Sequence, residues 1–167
     1  VELYRLAENH LLGLKDRGRD TEHADICLAR GEVHRLLGDF RNALADAEKA
    51  CQLSTQAQDP PRTAQAMNLM ADLYYRQAQF DRVRELTQQV ITTYADAIPP
   101  AELARAYTWA GMASIAQNDP TEALVSLQQA EALAVQAEHN QRLANVLDAI
   151  AYVYYSQQEL ELALATM

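Results

Sequence analysis

The stretch GEVHRLLGDFRNALADAEKA, residues 31–50, decides the fold, because its spacing comes back. Residues 71–90 read ADLYYRQAQFDRVRELTQQV and residues 111–130 read GMASIAQNDPTEALVSLQQA. A small residue opens each, Gly31, Ala71 and Gly111, and Ala151 follows at the same step of 40. Three residues on stand His34, Tyr74, Ser114 and Tyr154; nine on, Phe40, Phe80, Pro120 and Leu160. Twelve on come Ala43, Val83, Ala123 and Ala163, and nineteen on Ala50, Val90 and Ala130. Ala24, Ala64, Ala104 and Ala144 precede the small residue by seven. So many columns held in step without a gap mark a repeat array.

The composition says what the repeats are made of. Five glycines and five prolines in 167 residues, with 49% hydrophobic residues rich in alanine, read as nearly all helix. Each unit is expected to be two antiparallel helices. The first unit, 21–60, places helix A over 21–37 and helix B over 39–56. The second, 61–100, places them over 61–77 and 80–96. The third, 101–140, places them over 101–117 and 120–137. The fourth, 141–167, has helix A over 141–157 and part of helix B. Residues 1–20 fit the helix B of a preceding unit, since Leu3, Ala7 and His10 fall in register with Ala43, Ala47 and Ala50. Val1 and Met167 both lie inside helical patterns, so the chain is expected to be a piece of a longer protein.

The turns carry their own chemistry. Gly38 suits a helix C-terminus and Asp39 the next N-cap. Asn118 tolerates the left-handed conformation, Asp119 caps, Pro120 suits the first helical position, and Glu122 sits where a capping box needs it. Asp59–Pro60–Pro61 and Pro99–Pro100 stop one helix and start another. The small residues let helix A approach its own helix B, and the residue three positions on fills the same face. One hairpin cannot bury its apolar faces alone, so neighbours stack.

These columns resemble the tetratricopeptide repeat, whose pattern runs W-x2-L-G-x2-Y, then A-x3-F, then A. The Gly/Ala column is intact in all four units. The Trp column reads Cys27, Met67, Tyr107 and Leu147, and the Leu column Arg30, Met70, Ala110 and Ile150. The usual repeat has about 34 residues, so these long repeats are similar to those of Pins-type spindle adaptors, kinesin light chains and the sensor regions of bacterial signalling ATPases. The irregular columns look most like the bacterial group. The resemblance implies an all-α fold, an α-α superhelix whose concave face is lined mainly by helix A.

By that resemblance, the lining in the first unit is Asp25, Leu28, Glu32, Arg35 and Leu36. In the second it is Gln65, Asn68, Asp72, Tyr75 and Arg76. In the third it is Arg105, Thr108, Met112, Ile115 and Ala116, and in the fourth Asn145, Asp148, Tyr152, Tyr155 and Ser156. Asn68 and Asn145 suit the N–H and C=O of a peptide backbone. Glu32, Asp72 and Asp148 suit a basic side chain. Tyr75, Tyr152 and Tyr155 suit stacking on a ligand side chain or cation. Replacing Asp72 and Asp148 by alanine is therefore expected to weaken binding and leave stability alone. Only Arg35, Arg76 and Arg105 are basic in this lining, which does not resemble the carboxylate clamp of chaperone-tail adaptors.

Charge and motif narrow the function classes. The net charge of -9 argues against nucleic acid as the main partner, since phosphate binding needs clustered cations. After Lys49 the only cations are Arg62, Arg76, Arg82, Arg84, Arg105 and Arg142. No apolar run of membrane-spanning length and no signal peptide is present. Cys27 and Cys51 lack CxxC spacing, which fits a reduced, cytoplasmic setting. His10, His23, His34 and His139 fall in different units; His34 holds the Tyr column and reads as a packed core residue. Neither HExxH, nor a Gly-rich phosphate loop, nor GxSxG occurs, so no enzyme, cofactor or metal is expected. Trp109 lies outside the Trp column, as either a repeat-to-repeat contact or an exposed aromatic. The expected function is a non-catalytic module binding a protein or peptide ligand for scaffolding or regulation. Two rivals are an effector-sensing arm of a signalling ATPase, cyclase or transcription regulator, and a structural spacer or self-association module acting through the solenoid ends.

Overall fold

The first small residue, Gly31, lies against Ala43 and Asp46 of the following helix, as the register requires. A computed structural model describes residues 2–11 and 17–166. Its helices are α1 (Glu2–Leu11), α2 (Arg17–Leu36), α3 (Phe40–Gln56), α4 (Pro60–Arg76) and α5 (Phe80–Tyr94). After a 3-10 turn at Ala95–Ala97 come α6 (Pro100–Ala116), α7 (Pro120–Gln136), α8 (Asn140–Ser156) and α9 (Leu160–Thr166). Helix A of the four expected units is α2, α4, α6 and α8. Part of the upstream helix expectation, residues 12–16, lies outside the described residues, as does the side chain of His10. Within α1, Leu3 is 80% exposed where its register mate Ala43 is fully buried.

The small-residue logic appears in the packing. A Cβ on Gly31 would sit 3.1 Å from Leu69 Cδ2 and 3.3 Å from Asp46 Cβ, and one on Gly111 would sit 2.7 Å from Leu127 Cγ. Ala43, Ala47, Leu69 and Leu73 form one buried cluster, and Ala71, Tyr74, Val83 and Ala113 another. Each cluster draws on neighbouring hairpins, which is how stacked repeats bury what a lone hairpin cannot. Ala24, Ala64 and Ala104 are fully buried, but Ala144 is exposed. The position that would cover it, one step of 40 beyond Ala130, falls after residue 167.

Two departures from the apolar columns have local explanations. Arg30 stands in the Leu column, and its Nε donates to Asp46 Oδ2 at 2.9 Å, tying α2 to α3. His34 packs in the Tyr column with Nδ1 3.4 Å from Asp39 Oδ2, its side chain largely buried.

The turns share one geometry. Gly38, Gln58, Ala78, Asn118, Glu138 and Gln158 all have positive φ, and they fall on a step of 20 wherever that step is used. After each, the next backbone N–H returns to a carbonyl five residues earlier: Asp39 to His34 at 2.9 Å, Gln79 to Tyr74 at 2.9 Å, Glu159 to Tyr154 at 2.9 Å. This is the Schellman closure of a helix C-terminus. Asp39, Asp59, Asp119 and His139 then cap the following helices by accepting from a backbone N–H three residues on. The Asp119 cap forms, but its own N–H donates to Ser114 O, the Schellman bond, rather than serving Glu122 in a reciprocal box. Ile98 breaks the rhythm with φ -123 and ψ 154, extended ahead of Pro99.

Candidate functional site

The inner face is built by α2, α4, α6 and α8 standing side by side, and its curvature can be read from one contact. Arg105 Nη2 on α6 donates to Glu32 Oε1 on α2 at 3.3 Å, although α4 lies between them in the stack. Helices two units apart touch only if the face between them is concave.

That contact belongs to a charge network. Arg35 Nε donates to Glu32 Oε2 at 2.7 Å, and Arg35 Nη1 lies 3.4 Å from Asp72 Oδ2. Arg76 Nε donates to Asp72 Oδ1 at 2.6 Å. Burial opposes the charge on Arg35, but its hydrogen bond to Glu32 and the charges of Glu32 and Asp72 outweigh it and raise its pKa. Glu32 and Asp72, expected to hold a basic ligand group, are thus already neutralised by the chain's own arginines. Asp72 is only 4% exposed.

Asn68 is not positioned for a ligand either. It is fully buried, and its Nδ2 donates to the Glu102 carbonyl at 3.0 Å and to Glu102 Oε2 at 3.1 Å, bracing α4 against α6. Tyr75 is packed too: its ring lies 5.6 Å from Phe80 and 5.5 Å from Trp109, centroid to centroid. Trp109 is therefore a repeat-to-repeat contact. Burial first, and the charge of Tyr152 second, raise the Tyr75 pKa.

The remaining candidates fall into three hollows, two along the face and one between α8 and α9. The first, of about 350 Å³, is lined by Asp25, Leu28, Glu32, Gln65, Glu102 and Arg105 among others. The central one, also about 350 Å³, is lined by Arg35, Asp72, Arg105, Thr108, Trp109, Met112, Arg142 and Asn145. The third, about 440 Å³ and mostly apolar, lies between α8 and α9 and is lined by Asp148, Ala151, Tyr152, Tyr155, Leu160, Ala163 and Leu164, register positions that in the first unit pack against Leu69 and Leu73 of the next helix A. Leu36, Ala116 and Ser156 are exposed beside the face, and Ile115 is turned into the α6–α8 core. The Thr108 hydroxyl donates to its own helix, at Ala104 O, 2.7 Å away.

Sequence reasoning missed Arg142, Glu102 and the placement of Trp109. Arg142 lies one turn before Asn145 on α8 and outside the family's lining positions, so only the curvature reveals it. Its Nη2 is 3.9 Å from Glu102 Oε1, and its Nε is buried with no hydrogen-bond partner. Burial lowers the Arg142 pKa, Glu102 offsets part of this, and Arg105 adds to the depression. The indole N–H of Trp109 is likewise buried without a partner.

The fold and the stacked helix pairs define an α-solenoid of short helical hairpins. Residues 24–96 match the family model described as tetratricopeptide repeat. Among curated proteins it is 28% identical over 159 residues to the tetratricopeptide repeat protein 21 homolog of Caenorhabditis briggsae. That match covers 88% of this chain and 11% of the relative, so the chain spans about a tenth of the relative's length. Among solved structures, the apo form of RapI superposes with a TM-score of 0.81 at 18% identity, covering 98% of this chain and 58% of that one. BtubC (BKLC) from P. vanneervenii has a TM-score of 0.81 at 19% identity, covering 99% and 68%. A Rap protein complexed with competence and sporulation factor has a TM-score of 0.72 at 18% identity, covering 98% and 45%. At these identities the likeness is one of fold.

Proposed function

We propose that the chain is a protein- or peptide-binding module that receives an extended segment along the inner face of α2, α4, α6 and α8, for scaffolding or regulation. The observation that carries this reading is the pair of hollows, polar and cationic, on a face already held in shape by Arg35–Glu32, Arg105–Glu32 and Arg76–Asp72, with an apolar hollow between α8 and α9 beyond them. A surface ordered before binding loses little freedom when a partner arrives. The Rap protein structure described as a complex with competence and sporulation factor supports the reading by analogy of fold.

The single tryptophan supplies the test, because Trp109 lines the central hollow. Peptides selected from a random library against this chain are expected to change Trp109 fluorescence in a saturable way, and Tyr155→Ser, in the third hollow, is expected to weaken the same peptides. Selected peptides that bind without moving the Trp109 signal would place binding elsewhere and contradict the proposal.

A further inference from the structure

We infer that the central hollow receives the carboxylate of an internal Asp or Glu side chain of the bound segment. The inference rests on the groove reading above and adds the ligand's chemistry. Sequence reasoning pointed the other way, to acids gripping a basic group.

The first argument is the balance of donors and acceptors. Arg35, Arg105 and Arg142, from three different helices, line this hollow with a single carboxylate, Asp72. Asp72 is already engaged by Arg76 at 2.6 Å and by Arg35 at 3.4 Å. Glu32 serves Arg35 and Arg105 together. Arg142 is left with Glu102 at 3.9 Å, outside hydrogen-bond range. A half-buried guanidinium with so distant a partner carries a desolvation cost that an arriving anion relieves.

The second argument is independent of charge. Arg142 Nε and the Trp109 indole N–H are both buried and unpaired, and both side chains line this hollow. Unpaired buried donors are rare in folded proteins and call for an acceptor. Asn145 at the rim offers an amide N–H as well. An acceptor-only group answers this set, and guanidinium forks suit a carboxylate.

The third argument is position. The hollow lies between the polar one at Asp25 and Gln65 and the apolar one at Tyr152 and Tyr155. A segment following the face passes through it, so the carboxylate belongs to a side chain with further residues on either side. Asp72 in the wall disfavours a doubly charged phosphate more than a single carboxylate. The apolar hollow next along then takes an apolar residue near the acidic one.

The test uses short peptides blocked at both ends, so that only side chains supply a carboxylate. Selection against this chain is expected to enrich Asp or Glu at one position with an apolar residue at a fixed spacing. Changing that Glu to Gln in a selected peptide is expected to weaken binding about tenfold, less so at high salt. Arg142→Gln is expected to erase the Glu/Gln difference. Asn145→Asp, at an exposed residue whose change leaves the core intact, is expected to erase it too, with circular dichroism confirming the fold of both variants. Equal affinity for Glu and Gln peptides that still move the Trp109 signal overturns this inference and leaves the groove reading standing. A Glu/Gln preference untouched by both variants overturns it as well, as does tighter binding of a phosphoserine peptide or a need for a free C-terminus. Absence of any binding peptide overturns both readings together.

Discussion

At Gly111 there is no room for a side chain. A Cβ there would meet Leu127 Cγ at 2.7 Å, Leu127 Cδ2 at 2.9 Å and the Ala123 carbonyl at 3.2 Å. Gly111→Ala is expected to destabilise the fold by about 1–3 kcal/mol through overpacking, read by urea denaturation; an unchanged midpoint would mean α6 and α7 do not approach as described. The repeated tyrosine doublets give a second contrast at this scale. Tyr75 stacks between Phe80 and Trp109, whereas Tyr155, the same register position, is 65% exposed. Tyr75→Ser is expected to cost about 2–4 kcal/mol and Tyr155→Ser within about 0.5 kcal/mol, by thermal unfolding. The pair was legible as one column, but its two fates were not, because they depend on whether a later helix supplies a Trp109. Arg30 and Asp46 form a third case. The second unit holds Met70 and Leu86 at these positions, packed on the Ala71–Val83 cluster. Exchanging both, Arg30→Met with Asp46→Leu, is expected to be neutral or stabilising, while Asp46→Leu alone removes the Asp46 carboxylate that Arg30 donates to and costs about 3 kcal/mol.

Among the elements, the repeat of 40 resolves into two equal steps. Five of the helices, α3, α4, α6, α7 and α8, have 17 residues each, and the Schellman turns that follow them, like the turn after α2, are alike whether they join A to B or B to A. Gly38 and Asn118 announced their turns because their chemistry suits positive φ. Gln58, Ala78, Glu138 and Gln158 did not, since the hydrogen bonds of the closure, rather than the residue type, hold them there. A left-handed alanine is strained by about 1–2 kcal/mol, part of which glycine regains. Ala78→Gly is therefore expected to stabilise by about 0.5–1 kcal/mol despite the greater freedom of the unfolded chain; a lower melting temperature would contradict the assigned turn. Ile98 shows the limit of the rhythm, because a β-branched residue ahead of Pro99 takes the extended conformation instead. The double prolines were legible as breaks, but the 3-10 turn ahead of them was not.

For the whole molecule, the solenoid and its order of helices followed from columns in the sequence, whereas the use of its inner face did not. The family resemblance put Asp72 and Asn68 on the lining, yet it could not see that curvature brings α2 within reach of α6 and sets Glu32 and Asp72 against the chain's own arginines. Asp72→Ala is consequently expected to cost about 1–3 kcal/mol of stability by removing the carboxylate that Arg76 donates to and leaving Arg35 with Glu32 alone, measured by denaturation, whereas exposed Asp148→Ala leaves stability unchanged. Arg142 was invisible for the same reason, being recruited by curvature. No helix among the described residues is long and apolar enough to cross a membrane. The central claim is that a protein or peptide segment lies along the inner face. The most direct measurement is hydrogen–deuterium exchange of the chain with and without a selected peptide. Slowed exchange concentrated in α4, α6 and α8 beside the central and apolar hollows is the predicted result. Protection confined to α3, α5 and α7, with the inner helices unchanged, would contradict it.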